Sequence, residues 1–198
     1  DFITIDGGEG GTGAAPPSFA DHVSLPWTYA FSSVYKIFKD MGLTERIVFI
    51  GSGKLGFPAK AAMAFSMGVD CINVAREAMM SIGCIQAQIC HTNRCPSGVA
   101  TQNKWLQNGI NVPLKSDRLA QYFKTFRKEF LEITHAAGYE HPCQFKMSDI
   151  QVNVDDDYLS SDLEAVYSYK KDQVAFSSMQ ELYDCSFLGG KPSLEKTL

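Results

Sequence analysis

The chain has 198 residues, of which 45% are hydrophobic and 20% charged, a balance that predicts one globular domain with a full core and a short tail. A net charge of -4 with scattered basic residues argues against a nucleic-acid partner. No apolar run approaches the roughly 20 residues of a membrane helix, and the opening residues lack the basic and apolar regions of a secretory signal.

The chain opens without Met on the strand-like run "FITI" at residues 2–5, so a fragment of a longer polypeptide is expected. Two further β-branched runs lie at 47–50 and 69–74. Each of the three leads through small residues into a helical pattern, which predicts parallel strands joined by helical crossovers. The first helix carries apolar residues at Trp27, Ala30, Phe31, Val34, Ile37, Phe38 and Met41, with Gly42 as its stop. Pro58 opens the second, which runs through Ala61, Ala62 and Phe65 to Gly68. A short third helix spans about 77–82. A longer one opens at Ser116 or Asp117 and is striped by Leu119, Tyr122, Phe123, Phe126, Phe130, Ile133 and Ala137 before Gly138; it is expected to cover an open face of the core over 117–137. From Gln144 onward the pattern weakens to short strands or turns with an acidic, solvated patch, and the tail "GGKPSLEKTL" is expected to be flexible. Three such units amount to about a third of an eight-stranded (β/α) barrel or about half of a Rossmann-type sheet, with two open edges.

The loops carry the chemistry. "DGGEGGTGAAPPSF" places five glycines within residues 7–13. Gly8, Gly10 and Gly13 match the dinucleotide spacing, but Pro16 and Pro17 follow where that motif needs an opening helix. A loop pressed against an anion or a flat cofactor explains the glycine excess better than turn geometry alone. The second loop, "GSGKLGFPAK", resembles a P-loop, but Leu55 follows Lys54 and Val48 stands where the first glycine belongs. Backbone amides of Gly51, Ser52 and Gly53 remain candidates for a phosphate, as do Ala75 and Arg76 at the next helix start.

Three of the six cysteines crowd into "GCIQAQICHTNRCPSGVATQ", residues 83–102. Cys71, Cys143 and Cys185 stand singly at irregular intervals, poor material for a disulfide framework, so a reducing, cytoplasmic setting is expected. The spacing Cys84-x5-Cys90-x4-Cys95-Pro96 matches neither a zinc ribbon nor a redox dithiol. Three readings stay open: an iron–sulfur site wrapped by irregular backbone, a zinc site completed by His91, and buried free thiols.

Taken together, "ITIDGGEGGTGAAP", "IGSGKLGFPAKAAMAFSMGVD", "AREAMMSIGCIQAQICHTNRCPSGVATQ" and the helix ending in "AAGYEHP" resemble the C-terminal part of the FMN-binding synthase domain of glutamate synthases and glutamate synthase-like proteins. The resemblance covers about the first 140 residues. It implies an α/β fold, the C-terminal part (about strands six to eight) of a TIM (β/α)8 barrel over 1–142, with an irregular extension over 143–198 and an added helical segment. It implies FMN at the barrel mouth, held by Gly10 and Gly11, by Gly51, Ser52 and Gly53, and by Ala75 and Arg76. Cys84, Cys90 and Cys95 would hold a 3Fe–4S cluster relaying single electrons to the flavin. The implied reaction is reductive amination of 2-oxoglutarate by ammonia, drawn from glutamine, with hydride from reduced FMN reducing 2-iminoglutarate to L-glutamate. The implied partners are an electron donor protein or NAD(P)H-linked subunit and the rest of the barrel, which would bring the catalytic lysine. A part-barrel alone is expected to be inactive and prone to self-association. The second loop departs from the Asp-Gly-Gly pattern of the large enzymes, which groups the chain with the shorter relatives.

Overall fold

The computed structural model describes residues 1–10, 15–20, 23–153 and 160–172. Three strands, β1 (Phe2–Asp6), β2 (Val48–Ser52) and β3 (Cys71–Asn73), form a parallel sheet in the order β1-β2-β3. Phe2 stands beside Val48 and Asp6 beside Ser52, while Ile50 and Ser52 stand beside Cys71 and Asn73. Because the strands are parallel, the loops after β1, β2 and β3 all emerge at one end of the sheet. Among the described residues, no helix is long and apolar enough to cross a membrane.

The crossovers are helical, as the periodicity predicts. After the short α1 (Pro17–Ala20), α2 (Trp27–Asp40) returns the chain to β2, and α3 (Pro58–Met67) returns it to β3. Pro58 begins α3 where a missing N–H costs nothing, and Gly68 ends it at φ 113° in the left-handed region. The buried stripe of α2 runs through Trp27, Phe31 and Tyr35, with Ala30, Val34 and Phe38 packed at its sides. Ile37 and Met41, expected in that stripe, are exposed, because the i+4 line from Trp27 selects Tyr35 instead. Trp27, Phe31 and Tyr35 form a ladder of rings with centroids 5.1 and 5.7 Å apart, closed over Phe49 and Ile5 of the sheet.

Helix α4 (Arg76–Ser81) follows β3, and a 3-10 turn at Cys90–Thr92 and the short α5 (Lys104–Gln107) lead to α6 (Val112–Ala136). Helix α6 starts earlier than Ser116 or Asp117: the Asn111 side chain accepts from Leu114 N–H at 3.1 Å and Pro113 occupies the first turn. Its inward face is Tyr122, Phe126, Phe130 and Thr134, leaving Phe123 and Ile133 exposed. Phe130 joins Ala61, Ala62 and Phe145 in a second core beside α3.

The segment after Gln144 contributes more than a solvated surface. Strands β4 (Gln151–Asn153) and β5 (Ser160–Asp162) pair antiparallel, and α7 (Leu163–Tyr167) follows. Met147, Leu163 and Tyr169 are buried in the main core. The Tyr169 hydroxyl donates to Met67 O at 2.9 Å, and Lys171 Nζ donates to the carbonyls of Phe65, Cys143 and Phe145 at 2.9, 2.5 and 3.2 Å. Phe65 and Met67 lie in the last turn of α3, so this segment supplies a donor to Met67 O and a second donor to Phe65 O, which also accepts from Gly68 N–H at 3.3 Å. Asp172 ties the same segment to Lys39 at 2.6 Å and Thr44 at 2.7 Å. The tail "GGKPSLEKTL" and Cys185 lie outside the described residues.

The two faces of the parallel sheet differ. Ile5, Phe49 and Gly51 are buried against α2 and α3, whereas Thr4 and Asp6 are exposed and Val48, Ile50 and Ser52 half-buried. A parallel sheet ordinarily has both faces covered.

Candidate functional site

Two neighbourhoods draw the candidate residues together: the sheet end where the three loops emerge, and the cysteine segment that follows α4.

At the sheet end the first loop is fastened on several sides. Gly7 N–H donates to Ser52 O at 2.8 Å and Gly8 N–H to Leu25 O at 2.9 Å. The Glu9 carboxylate accepts from Trp27 N–H with both oxygens, at 3.1 and 3.0 Å. Arg76 Nη2 donates to Gly10 O at 3.1 Å, so the start of α4 reaches back to the first loop. Gly11 lies outside the described residues.

Trp27 fills the space beneath these loops. It is 1% exposed, its indole N–H donates to Ile5 O at 3.2 Å, and three glycines make room for it. A Cβ on Gly7, Gly51 or Gly53 would stand 2.4, 2.8 or 2.9 Å from a Trp27 side-chain atom. Gly51 and Ser52 are the last residues of β2 rather than loop residues, and Gly53 follows at φ 156°. These glycines therefore have a packing role that the reading of the second loop as an anion cradle did not anticipate. Ala75 stands at the N-cap of α4, directly before Arg76.

Sequence reasoning missed Glu9 and the centrality of Trp27. Glu9 is the lone charged residue among residues 7–13, and Pro26 at the α2 N-cap offers no side-chain acceptor. Those two facts are the signal for a cap supplied from elsewhere.

The three cysteines of the segment after α4 border one pocket. Cys84, Cys90 and Cys95 all line a single pocket of about 340 Å³ including its open mouth, among apolar neighbours such as Met79, Ile85, Ile89 and Val99. Its backbone is irregular: Gln86, Gln88 and Asn93 take left-handed φ of 54°, 56° and 62°, conformations uncommon for residues with side chains and concentrated at functional sites. Asn93 Oδ1 accepts from Gln102 N–H at 2.6 Å and from the Thr101 hydroxyl at 2.9 Å, closing the loop that holds Cys95. Burial of Cys95 works to raise its pKa, but the Ser97 hydroxyl at 3.4 Å and the amides of Ala100, Ser97 and Val99 outweigh it and bring the thiol below its ordinary value. Donors aimed at sulfur favour the thiolate that binds metal.

Among the described residues, no three His, Cys, Asp or Glu side chains are gathered to share one metal ion. His91 is exposed and does not line the pocket, so the fourth ligand that a zinc site would require is not directed there.

A family model described as "Conserved region in glutamate synthase" matches residues 1–140. That region takes in the whole parallel sheet, both neighbourhoods and α6. The chain belongs to the glutamate synthase family. It is 42% identical over 156 residues, 79% of its length, to the glutamate synthase large subunit-like protein YerD of Bacillus subtilis. It is 35% identical over 138 residues, 70% of its length, to an archaeal glutamate synthase [NADPH] of Methanocaldococcus jannaschii. It is 35% identical over 140 residues, 71% of its length, to the chloroplastic ferredoxin-dependent glutamate synthase of Spinacia oleracea. The matched part spans 30%, 27% and 8% of those three relatives. The parallel α/β architecture is compatible with part of a barrel, and β4, β5, α7, Lys171 and Asp172 lie beyond the family region.

Proposed function

We propose that this chain forms the part of a glutamate synthase-like oxidoreductase that carries its iron–sulfur cluster and the phosphate end of its FMN. The observation that carries the reading is the convergence of Cys84, Cys90 and Cys95 on one apolar pocket, with donors directed at Cys95. Cys84, Cys90 and Cys95 would supply one thiolate each to a three-iron cluster, a donor set that fits three cysteines lining one pocket. The fold supports the same reading: the half-exposed face of the β1-β2-β3 sheet suits the interior of a TIM (β/α)8 barrel whose remaining strands would cover it.

In this reading Cys84, Cys90 and Cys95 hold a 3Fe–4S cluster, and Arg76, Ala75 and the backbone of Gly10, Gly11, Gly51, Ser52 and Gly53 hold FMN. The flavin, when bound, supplies hydride chemistry and the cluster supplies one-electron transfer. The protein's own work here is placement. Arg76 brings a fixed positive charge to the end of the sheet where a phosphate would sit. Trp27 and its three glycines hold the ends of β1 and β2 together and exclude water beneath them. Apolar side chains line the cysteine pocket, in which Cys95 is buried and Cys84 and Cys90 half-buried, and the Ser97 hydroxyl and neighbouring amides favour the thiolate form of Cys95. The whole enzyme would take electrons from a donor protein or an NAD(P)H-linked subunit, in the cytoplasm, and reductively aminate 2-oxoglutarate with ammonia or glutamine nitrogen to give L-glutamate. The chemical steps would use residues of the rest of the barrel.

The test is Cys90→Ser in the full polypeptide that contains these residues, purified anaerobically. The visible absorption of an iron–sulfur cluster is expected to be lost, with iron and acid-labile sulfide falling together; an unchanged spectrum and iron content would refute the assignment.

A further inference from the structure

Glu9 stands between two interactions of the first loop. Its carboxylate caps the first turn of α2 by accepting from Trp27 N–H with both oxygens, at 3.1 and 3.0 Å. The residue after it, Gly10, offers its carbonyl to Arg76 Nη2 at 3.1 Å, while Gly10 N–H closes a turn onto Gly7 O at 3.1 Å. One peptide unit therefore separates the helix cap from the arginine contact. Glycine gives the loop no stiffness of its own, so the position of the Gly10 carbonyl depends on what pins its neighbours, and among the described residues of the loop Glu9 is a side chain that does so.

The cap need not have come from the loop. A Ser, Thr, Asp or Asn at position 26 would serve α2 locally, but that position is Pro26, with no side-chain cap. The cap instead crosses 18 residues of sequence, which makes capping α2 and placing the loop a single interaction. A carboxylate near an anion site would ordinarily repel the anion. Here both oxygens are turned onto an amide at the positive end of a 14-residue helix, which offsets that charge.

We infer that Glu9 is a positioning residue for the phosphate-holding part of the mouth: by anchoring the first loop to α2 it fixes the Gly10 carbonyl, and through that carbonyl it orients the Arg76 guanidinium. The inference rests on the proposed reading that Arg76 faces the phosphate of FMN. It deepens that reading by naming the group that aims the arginine, and it predicts that loss of Glu9 is felt by the phosphate and not by the isoalloxazine ring.

The experiment compares FMN with riboflavin, which lacks the phosphate, by flavin fluorescence titration of the full polypeptide and its variants. Glu9→Ala is expected to weaken FMN on the order of tenfold while riboflavin changes less than about twofold, the scale of one misplaced charge-assisted contact. Glu9→Gln, which retains an oxygen for Trp27 N–H, is expected to restore FMN binding to within about threefold of the wild type. Arg76→Ala is expected to show the same selective loss, and Glu9→Ala added to it should weaken FMN no further. Should Glu9→Ala fail to fold, Glu9→Asp, which withdraws the carboxylate by one methylene, takes its place with the same expected selectivity. Equal weakening of both flavins, no weakening of either, or full additivity with Arg76→Ala would overturn the inference. A wild type that binds FMN no better than riboflavin would overturn the reading of the mouth on which it rests, and the inference with it.

Discussion

Replacing Lys171 with Met tests whether the segment beyond the family region is a structural part of the domain. The Lys171 residue is 8% exposed and its ammonium donates to the carbonyls of Phe65, Cys143 and Phe145. Methionine fills the same volume with an apolar chain and leaves all three carbonyls without this donor. A buried acceptor left unmade costs about 1–3 kcal/mol, but the variant also sheds the cost of burying an ammonium, so the low end applies to each carbonyl. Phe65 O keeps the Gly68 N–H at 3.3 Å, so the expected loss comes from two carbonyls and is about 2 kcal/mol, or roughly 4–8 °C in Tm for a domain of this size. Thermal unfolding by circular dichroism reads the total, and amide hydrogen exchange reads its location. Faster exchange should be confined to the last turn of α3 and to residues 142–149. A loss below about 0.5 kcal/mol, the range of an ordinary surface change, would refute the claim that this segment completes the α3 end.

Gly51→Ala should destabilise by about 1–3 kcal/mol through overpacking, since its Cβ would meet Trp27 at 2.8 Å and Leu55 and Val69 at 3.1 Å; an unchanged melting temperature would contradict the packing role. His141 is held below its ordinary 6.5 by burial first and then by the Lys171 charge. The unfolded chain thus binds more protons as pH falls through 6.5, and stability should decline from there down to the lower folded value. Unfolding midpoints at pH 7.5 and 5.5 measure this slope, which should be shallower in Lys171→Met; equal slopes would remove the lysine as a cause. The Tyr122 hydroxyl donates to Gly56 O at 2.7 Å, and burial, followed by the Glu77 charge, pushes its pKa up to about 12. Tyr122→Phe should cost about 1 kcal/mol by stranding that carbonyl, read by urea unfolding; no change in midpoint would count against the bond.

What the sequence disclosed was local, and what it concealed was long-range. Pro58 and Gly68 bound α3 by their own backbone chemistry, and the β-branched runs placed all three parallel strands to within a few residues. The helix stripes were legible in period but not in phase: Ile37 and Phe123 fit a spacing of three and four as well as Tyr35 and Thr134 do, and only the position of the sheet and of α3 decides between them. The start of α6 was obscured because Ser116 and Asp117 offer a plausible cap five or six residues inside the true one at Asn111. Tyr169 and Lys171 could not be placed in the core, since their partners lie 102 and 106 residues away at Met67 and Phe65. At the site, the three cysteines declared themselves by density alone. Glu9 did not, because its partner is an amide 18 residues on, and amides leave no mark in a sequence.

The most direct test of the account is the cofactor content of the full polypeptide, purified without oxygen: iron, acid-labile sulfide, zinc and flavin quantified alongside the visible spectrum. Iron and sulfide near three and four per chain, together with one FMN, are the result predicted by the proposed reading, in which the three cysteines that line one pocket hold the cluster and the sheet-end loops hold the flavin phosphate. Zinc at one per chain, or flavin without iron, would contradict it and return Cys84, Cys90 and Cys95 to a structural role.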